Sequence, residues 1–453
     1  MTFLGLRAYG WGMSQGNGDG MHPAGAEADS PPASTPRFWP FKRAYYGWAV
    51  VLASFVASFG EVPVNGPVIG VFIRPMQEEL GWSRGTIALG FMIGSIVGAL
   101  SSAIVGWLVD RYGARLVVVI AGVLITVSLL GLSTIQEPWQ FWVLFGLGRG
   151  AAISGVGIGT TVAVGKWFYR RRARMLAIKG IGHRTGQVVF PVFILAIMSV
   201  ADWRMAFAAS AGVAALLITL PALLYLRKQP EDMGLMPDGA TQSEELHELD
   251  PEVSWTLQEA RRTRAFWLIV VFTVSTPFVL GATNLHLVAN FQDRGLSDVL
   301  AVSVLSVFAA VSALSMLPVG LLLEHMHVRH GAMLMTILLM ASMLLISVAD
   351  SYAEALLFAV LFGVTTSMRG IIETLLIANY FGRRSLGTIR GFARMWTVIS
   401  TIGPVFGGFT RDITGTYTLT FLVFAAVAGL MFLTMLFATQ PVKPDHRWNE
   451  DSF

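Results

Sequence analysis

One phrase in this chain occurs twice, and no other feature limits its architecture as much. Gly106-Trp-Leu-Val-Asp110-Arg111-Tyr-Gly113-Ala-Arg115, between two long apolar stretches, returns 214 residues on as Gly320-Leu-Leu-Leu-Glu324-His-Met-His-Val-Arg329. Glycine, acid and arginine keep their spacing. The same displacement carries Pro63 to Pro277, Gly81 to Gly295 and Ser83 to Ser297, and a displacement of 213 carries Phe168-Tyr-Arg170-Arg171 to Phe381-Gly-Arg383-Arg384 and Pro191 to Pro404. Matching apolar residues would mean little in so greasy a sequence. Prolines, glycines and charges that recur at one offset imply two copies of one unit.

Each copy belongs in a membrane. Hydrophobic residues make up 54% of the chain and charged residues only 13%, about half of what a soluble domain carries. An apolar run of roughly 20 residues spans a bilayer as a helix. Twelve such runs are present, near 45–72, 84–108, 115–134, 139–165, 174–200, 204–226, 265–291, 298–323, 331–349, 353–380, 388–411 and 415–439. They are continuous rather than alternating, and backbone groups in lipid must bond within their own segment or close a barrel. The expected fold is therefore an all-α integral membrane protein, with twelve transmembrane helices in two pseudo-symmetric six-helix bundles, and not a porin. The expected division is a disordered N-terminal tail over 1–43, a first bundle over 44–228, a cytoplasmic linker with a short amphipathic helix over 229–263, a second bundle over 264–440 and a tail over 441–453. The capping box Thr256-Leu-Gln-Glu259 opens the linker helix.

A net charge of +4 would suit a nucleic-acid partner, but the basic residues lie in the connections between spans and report orientation instead. With both ends taken as cytoplasmic, the inner connections hold fifteen Lys and Arg and the outer ones five: Arg74, Arg84, Arg204, Arg294 and Arg411. This bias places the chain as a multi-pass protein of the cell inner membrane with both termini inside. The chain has no cysteine, so there is no disulfide framework or thiol chemistry. No catalytic, cofactor or metal-binding constellation is expected, and the chain does not read as an enzyme. The glycines of span four, Gly146 to Gly150 and Gly155 to Gly159, allow close helix approach. They follow no strand, so a dinucleotide site is not expected.

A charge at the bilayer centre costs about 2.5–3.5 kcal/mol, so helices that carry one should face protein or water. Spans three, six, nine and twelve have no charge in their interiors and read as lipid-facing, although spans two, seven and eight also lack charge. Depth counted at about 1.5 Å per residue puts Glu61, Arg149 and Arg369 near mid-bilayer. Glu373 leaves span ten on the same face as Arg369, one turn on. Two readings stay open for each. Arg369 with Glu373 is either an ion pair locking span ten or an anion-attracting arginine beside a carboxylate that carries a proton. Arg149 is either held on backbone carbonyls of span one or free to meet substrate. Arg149, Arg369, Asn65, Arg184 and Arg394 are the candidate substrate-binding residues, and Glu61 and Glu373 the candidate proton carriers. Lys179 and Arg390 are near enough to the inner face to snorkel. His286, Asn284 and His183 read as helix contacts or rim residues.

The Gly106 to Arg115 loop resembles the loop between helices two and three of the major facilitator superfamily. Tyr45-Tyr-Gly-Trp-Ala-Val-Val51, Glu79-Leu-Gly-Trp-Ser-Arg84, Gln229-Pro-Glu-Asp-Met-Gly-Leu235 and Asn379-Tyr-Phe-Gly-Arg-Arg-Ser-Leu-Gly-Thr-Ile389 look like its oxalate/formate antiporter and monocarboxylate transporter branch. The resemblance covers residues 40–440. It implies alternating access between two halves, small organic anions as substrates, and a cytoplasmic gate of Gly106, Asp110, Arg111, Gly113, Arg115, Glu324 and Arg329. Span eight, Val299 to Leu323, has no charge and span one has no lysine, so the arginines of spans four, ten and eleven take the role that branch gives to those spans. The expected function is secondary active transport of a small organic solute, foremost a carboxylate, with a proton or counter-substrate as partner, by a monomer in the lipid bilayer. Two alternatives remain at this level: a proton-coupled exporter of apolar or cationic compounds, and a membrane sensor or scaffold that transports nothing.

Overall fold

The computed structural model describes residues 45–239 and 254–443. The expected N-terminal tail, the middle of the linker and the last ten residues lie outside them. The first copy comprises α1 (Gly47–Leu80), α2 (Arg84–Tyr112), α3 (Ala114–Leu132), α4 (Pro138–Trp167), α5 (Arg172–Met198) and α6 (Trp203–Tyr225). The second comprises α7 (Arg264–Asp293), α8 (Asp298–Leu314 and Met316–Glu324), α9 (Val328–Val348), α10 (Tyr352–Phe381), α11 (Leu386–Met395, Trp396–Thr401 and Ile402–Thr414) and α12 (Thr418–Phe437). No strand occurs among the described residues. All twelve expected spans are helical. Ten are long and apolar enough to cross a membrane, and α8 makes an eleventh if its two parts, bent by 41°, count as one.

The breaks have local causes. Pro318 cannot donate to the Leu314 carbonyl, and α8 bends there. In α11, Pro404 cannot donate to Ser400, and the hydroxyls of Thr397, Ser400 and Thr401 bond back to carbonyls three residues earlier, tightening Trp396–Thr401 into 3-10 turns. In α1, Pro63 lies within a 3-10 turn at Val62–Val64, after which Asn65 leaves the helix at φ −97°, ψ 155°, two residues before Pro67.

The copies pair their helices in the same way. α1 packs on α5, α2 on α4 and α3 on α6, and α7 packs on α11, α8 on α10 and α9 on α12. Loop details repeat too: Gly81 and Gly295 follow α1 and α7 at left-handed φ of +69° and +88°. Gly113 turns between α2 and α3 at φ +91°, but its match His327 has φ −60° and instead caps α9, its ring Nδ1 accepting from the Arg329 N–H at 3.3 Å. The second loop is thus closed by a side chain where the first uses a glycine. Along α3, Leu116, Ile120, Val123, Val127 and Leu130 recur every three or four residues and stay exposed, as do Leu419, Leu422, Leu430 and Leu433 on α12. These apolar stripes suit lipid. With an even number of spans, Tyr45 and Lys443 lie at the same face, the terminal face. The loops after α1, α3, α5, α7, α9 and α11 define the far face.

Candidate functional site

Among the contacts between the two copies at the terminal face, two are equivalent. α2 crosses the start of α11 backbone to backbone: a Cβ on Gly106 would lie 2.1 Å from the Gly387 carbonyl oxygen, and one on Gly391 would lie 2.1 Å from that of Ser102. Just beyond, Asp110 Oδ1 accepts from the Gly387 N–H at 3.2 Å, and Oδ2 accepts from the Thr388 N–H at 2.6 Å and its hydroxyl at 2.8 Å. An acid of the first copy therefore caps a helix of the second, where free N–H groups favour negative charge. Lys166 Nζ of α4 completes the site with a 2.8 Å ion pair to Asp110.

The second lock mirrors the first. Glu324, at the end of α8, accepts from the Arg174 N–H at 3.1 Å and pairs with Arg174 Nη2 at 2.7 Å. Gly320 lies against Ala177 of α5, where a Cβ would come within 2.8 Å of its side chain. At the 213 displacement Arg174 corresponds to Gly387. Each copy thus reaches into the other at the same pair of positions.

Other members of the expected gate do something else. Arg111 stacks over its own neighbours Trp107 and Tyr112, 5.3 and 5.6 Å from the ring centroids. Arg115 is exposed and makes no hydrogen bond or ion pair among the described residues. Arg329 donates to the Met435 carbonyl at 3.0 Å and to that of Leu436, closing the end of α12 within its own copy. Gly113 only turns the chain. The basic partner of Asp110 is Lys166, which the sequence showed only as one of the loop charges. The start of the linker is not free either: Glu231 pairs with Arg383 at 2.6 Å, and Asp238 accepts from the N–H groups of Tyr169, Arg170 and Arg171 at 2.7, 2.8 and 3.3 Å. Farther on, the predicted capping box holds, with Thr256 and Glu259 bonded reciprocally at the head of Leu257–Arg261. The Thr256 N–H, bonded to the Glu259 carboxylate, holds it below the usual carboxylate range.

Beyond the locks the copies stay in contact through Trp396–Thr401 of α11 on α2 and the first part of α8 on α5. Gly66–Leu80 of α1 and Ile402–Thr414 of α11 pack within their own copies. The interior is closed at the terminal face and open at the far face.

That interior gathers charges from both copies. Glu61 acts electrostatically on Arg149, Lys179 and Arg394; Glu373 acts on Arg390 and Arg394; Arg369 acts on Arg184, Arg390 and Arg394. Six cations thus share one region with two carboxylates. Both carboxylates are already engaged. Glu373 Oε1 accepts from Arg369 Nε at 3.0 Å, and Glu61 Oε1 lies 3.1 Å from His183 Nδ1. The second Glu61 oxygen is buried with no hydrogen-bond partner.

The cations are held unequally. The break in α1 leaves the Val64 carbonyl free of the helix ladder, because the Val68 N–H bonds Asn65 instead. Arg149 Nη1 takes that carbonyl at 3.2 Å and Asn65 Oδ1 at 3.3 Å, its Nε donates to Ser95 Oγ at 3.0 Å, and its guanidinium lies 3.6 Å over Phe91. Arg149 is thus anchored on backbone of α1, and Asn65 serves it. Arg184 Nη1 donates to Gln187 Oε1 at 3.2 Å. Lys179 reaches only the Thr161 hydroxyl, at 3.4 Å. Arg390, 4% exposed, has Nε and Nη1 buried without partners, and the Arg394 side chain makes no hydrogen bond among the described residues. Lys179 and Arg390 therefore do not snorkel out past the terminal face, because the contacts of α5 and α11 with the opposite copy close beneath them. His286 is a helix contact: its Nε2 bonds the Pro404 carbonyl at 2.9 Å at the break of α11. Sequence reading missed Ser95 and Phe91, uncharged residues of α2 that hold Arg149 of α4, and Gln187, which bonds Arg184 and His183 of its own helix.

Two equivalent helix bundles around a charged interior sealed at one face are the build of a secondary transporter. The Major Facilitator Superfamily profile matches residues 48–400 and 291–452, and the chain belongs to that family. Its relatives are transporters, not enzymes, and place it in the monocarboxylate branch. Monocarboxylate transporter 13 of Rattus norvegicus is 25% identical over 392 residues, covering 84% of this chain and 86% of that protein. Among solved structures, the proton:xylose symporter XylE superposes with a TM-score of 0.71 at 14% identity, covering 87% of this chain and 96% of that one. The human organic anion transporter MFSD10 superposes with a TM-score of 0.66 at 16% identity, covering 86% and 100%.

Proposed function

We propose that this protein is a secondary active carrier of small organic anions, carboxylates foremost, which works as a monomer by alternating access with a proton as coupling ion and the terminal face in the cytoplasm. The observation that carries the reading is the imbalance of the interior: six cations face two carboxylates that already have partners, and Arg390 and Arg394 have none. A buried cation without a counter-charge is costly, and a bound carboxylate supplies that charge. A cationic cargo would add to the imbalance.

In this mechanism an anion enters from the far face and meets Arg394, Arg369 and Arg184, which belong to different copies. Its charge draws the far-face parts together. The Asp110 and Glu324 locks then release, and the terminal face opens. Arg149 positions the broken segment of α1 and so shapes the wall of the cavity. Arg369 and Glu373 hold each other until the anion competes for the guanidinium.

The test is counterflow in proteoliposomes with labelled lactate, pyruvate, oxalate and succinate, and with labelled tetraphenylphosphonium as a cationic probe. Exchange of at least one carboxylate, lost in Arg394→Ala, is the expected result. Exchange of the cation alone would refute the reading, and exchange of nothing would favour the sensor or scaffold.

A further inference from the structure

We propose that Gln187 is the coupling residue of this carrier: its amide turns over when an organic anion takes Arg184, and the turn brings one proton onto the Glu61–His183 pair. The proposal rests on the anion-transport reading above and adds a residue that the charged cluster alone does not reveal.

Four side chains form an unbroken line from the open interior to the break in α1. Arg184 Nη1 meets Gln187 Oε1 at 3.2 Å, Gln187 Nε2 meets His183 Nε2 at 3.2 Å, and His183 Nδ1 meets Glu61 Oε1 at 3.1 Å. Their hydrogen-bond chemistry leaves one arrangement. A guanidinium only donates, so Gln187 must turn its oxygen to Arg184 and its NH2 to His183. His183 Nε2 is then an acceptor, the ring proton lies on Nδ1, and Nδ1–H donates to Glu61. With Glu61 ionised, Glu61 and His183 then hold one proton between them.

A carboxylate arriving at Arg184 offers a charge-assisted bond, stronger than the neutral amide's. Once Arg184 turns to the anion, Gln187 Oε1 loses its donor. Rotating the amide by half a turn presents Oε1 to His183 Nε2, which must now donate, so a second proton has to join the pair. It comes from water at the open far face. The product is either an imidazolium beside ionised Glu61 or an Nε2–H imidazole accepting at Nδ1 from protonated Glu61. Both hold two protons, so one is taken up per anion and none is released.

The surroundings link the two events. The charged groups that face the pair are Arg149 from α4, Lys179 and Arg184 from α5 and Arg394 from α11, with Arg369 of α10 acting on Arg184. All are cationic. α6, which also packs on α1, has no charged residue from Met205 to Tyr225. An anion entering at Arg184 offsets that positive field. The buried Glu61 Oε2 has no hydrogen-bond donor of its own.

The experiment uses full-length protein in proteoliposomes at clamped zero voltage, with labelled lactate, pyruvate, oxalate and succinate as probes. Counterflow at equal pH and accumulation driven by an inward proton gradient are measured for wild type and Gln187→Leu. Gln187→Met replaces the leucine variant if that one does not purify as a monodisperse species. The expected result is gradient-driven accumulation by wild type, counterflow within about threefold of wild type in the variant, and at least a tenfold loss of accumulation. Equal accumulation by variant and wild type overturns the role of Gln187. Wild-type counterflow that ignores the gradient also overturns it, while leaving anion transport in place. Absence of any carboxylate counterflow in wild type overturns the anion reading itself.

Discussion

Replacing Asp110 by asparagine should swing the resting conformation. Asp110 makes three hydrogen bonds to the other copy, at 2.6, 2.8 and 3.2 Å. Bonds to a charged acceptor contribute about 1.5–3 kcal/mol each and neutral ones about 0.5–1.5, so the substitution removes about 1 kcal/mol per bond. The ion pair to Lys166 lies within one copy, persists whichever face is open, and drops out of the comparison. The terminal-closed state should therefore lose about 2–3 kcal/mol against the terminal-open one, a shift of roughly 30- to 150-fold. The absence of cysteine makes the assay direct. Ser102 is fully buried, its carbonyl lying against Gly391 at the α2–α11 contact. A single cysteine placed there should react with maleimide at least tenfold faster in Asp110→Asn than in the parent. An unchanged rate in monodisperse protein would refute the lock. Glu324→Gln should act in the same direction but less, because its Arg174 partner is 37% exposed at the side chain and screened by water.

Three further outcomes test the interior and the seam. Gly106→Val puts carbon where the Gly387 carbonyl stands, so the terminal-closed state should be lost and maleimide labelling at the far-face end of α5 should fall severalfold. Arg390→Met removes a buried, unpartnered charge and should raise the unfolding temperature in detergent by a few degrees while cutting carboxylate counterflow at least tenfold; a lower temperature would mean that Arg390 stabilises the empty protein. Arg369→Ala strands buried Glu373 and should cost stability, and adding Glu373→Gln should restore it; if counterflow recovers as well, the pair is only a structural lock.

The fold was largely readable from the chain because it is set by one-dimensional quantities. Run length gave the twelve helices, and the recurring prolines, glycines and acids gave the two copies. The repeat also pointed to the closure, since Asp110 and Glu324 turn out to cap equivalent helices. What it left out was the partner: Lys166 has no counterpart at its match, Asn379, where Arg172 bonds the amide at 3.2 Å instead. Depth counting put Glu61, Arg149 and Arg369 at mid-span, and the i, i+4 spacing put Glu373 beside Arg369. It misjudged Lys179 and Arg390, because depth along one helix says nothing of which neighbour closes over it. The break after Glu61 had a signal in Pro63-Val-Asn-Gly-Pro67, and that break decides what Arg149 does. Gln187 gave no signal, for its importance lies in two hydrogen bonds along a helix whose direction only Arg184 fixes.

Each lock seats a carboxylate of one copy on the first N–H groups of a helix in the other, so letting go strips those donors bare. Hydrocarbon offers them nothing, and an unmet donor costs several kcal/mol in lipid. The passage to the other conformation therefore has to be wetted at that seam before it can proceed. Solutes that withdraw water from crevices should slow the cycle more than they weaken the grip on cargo.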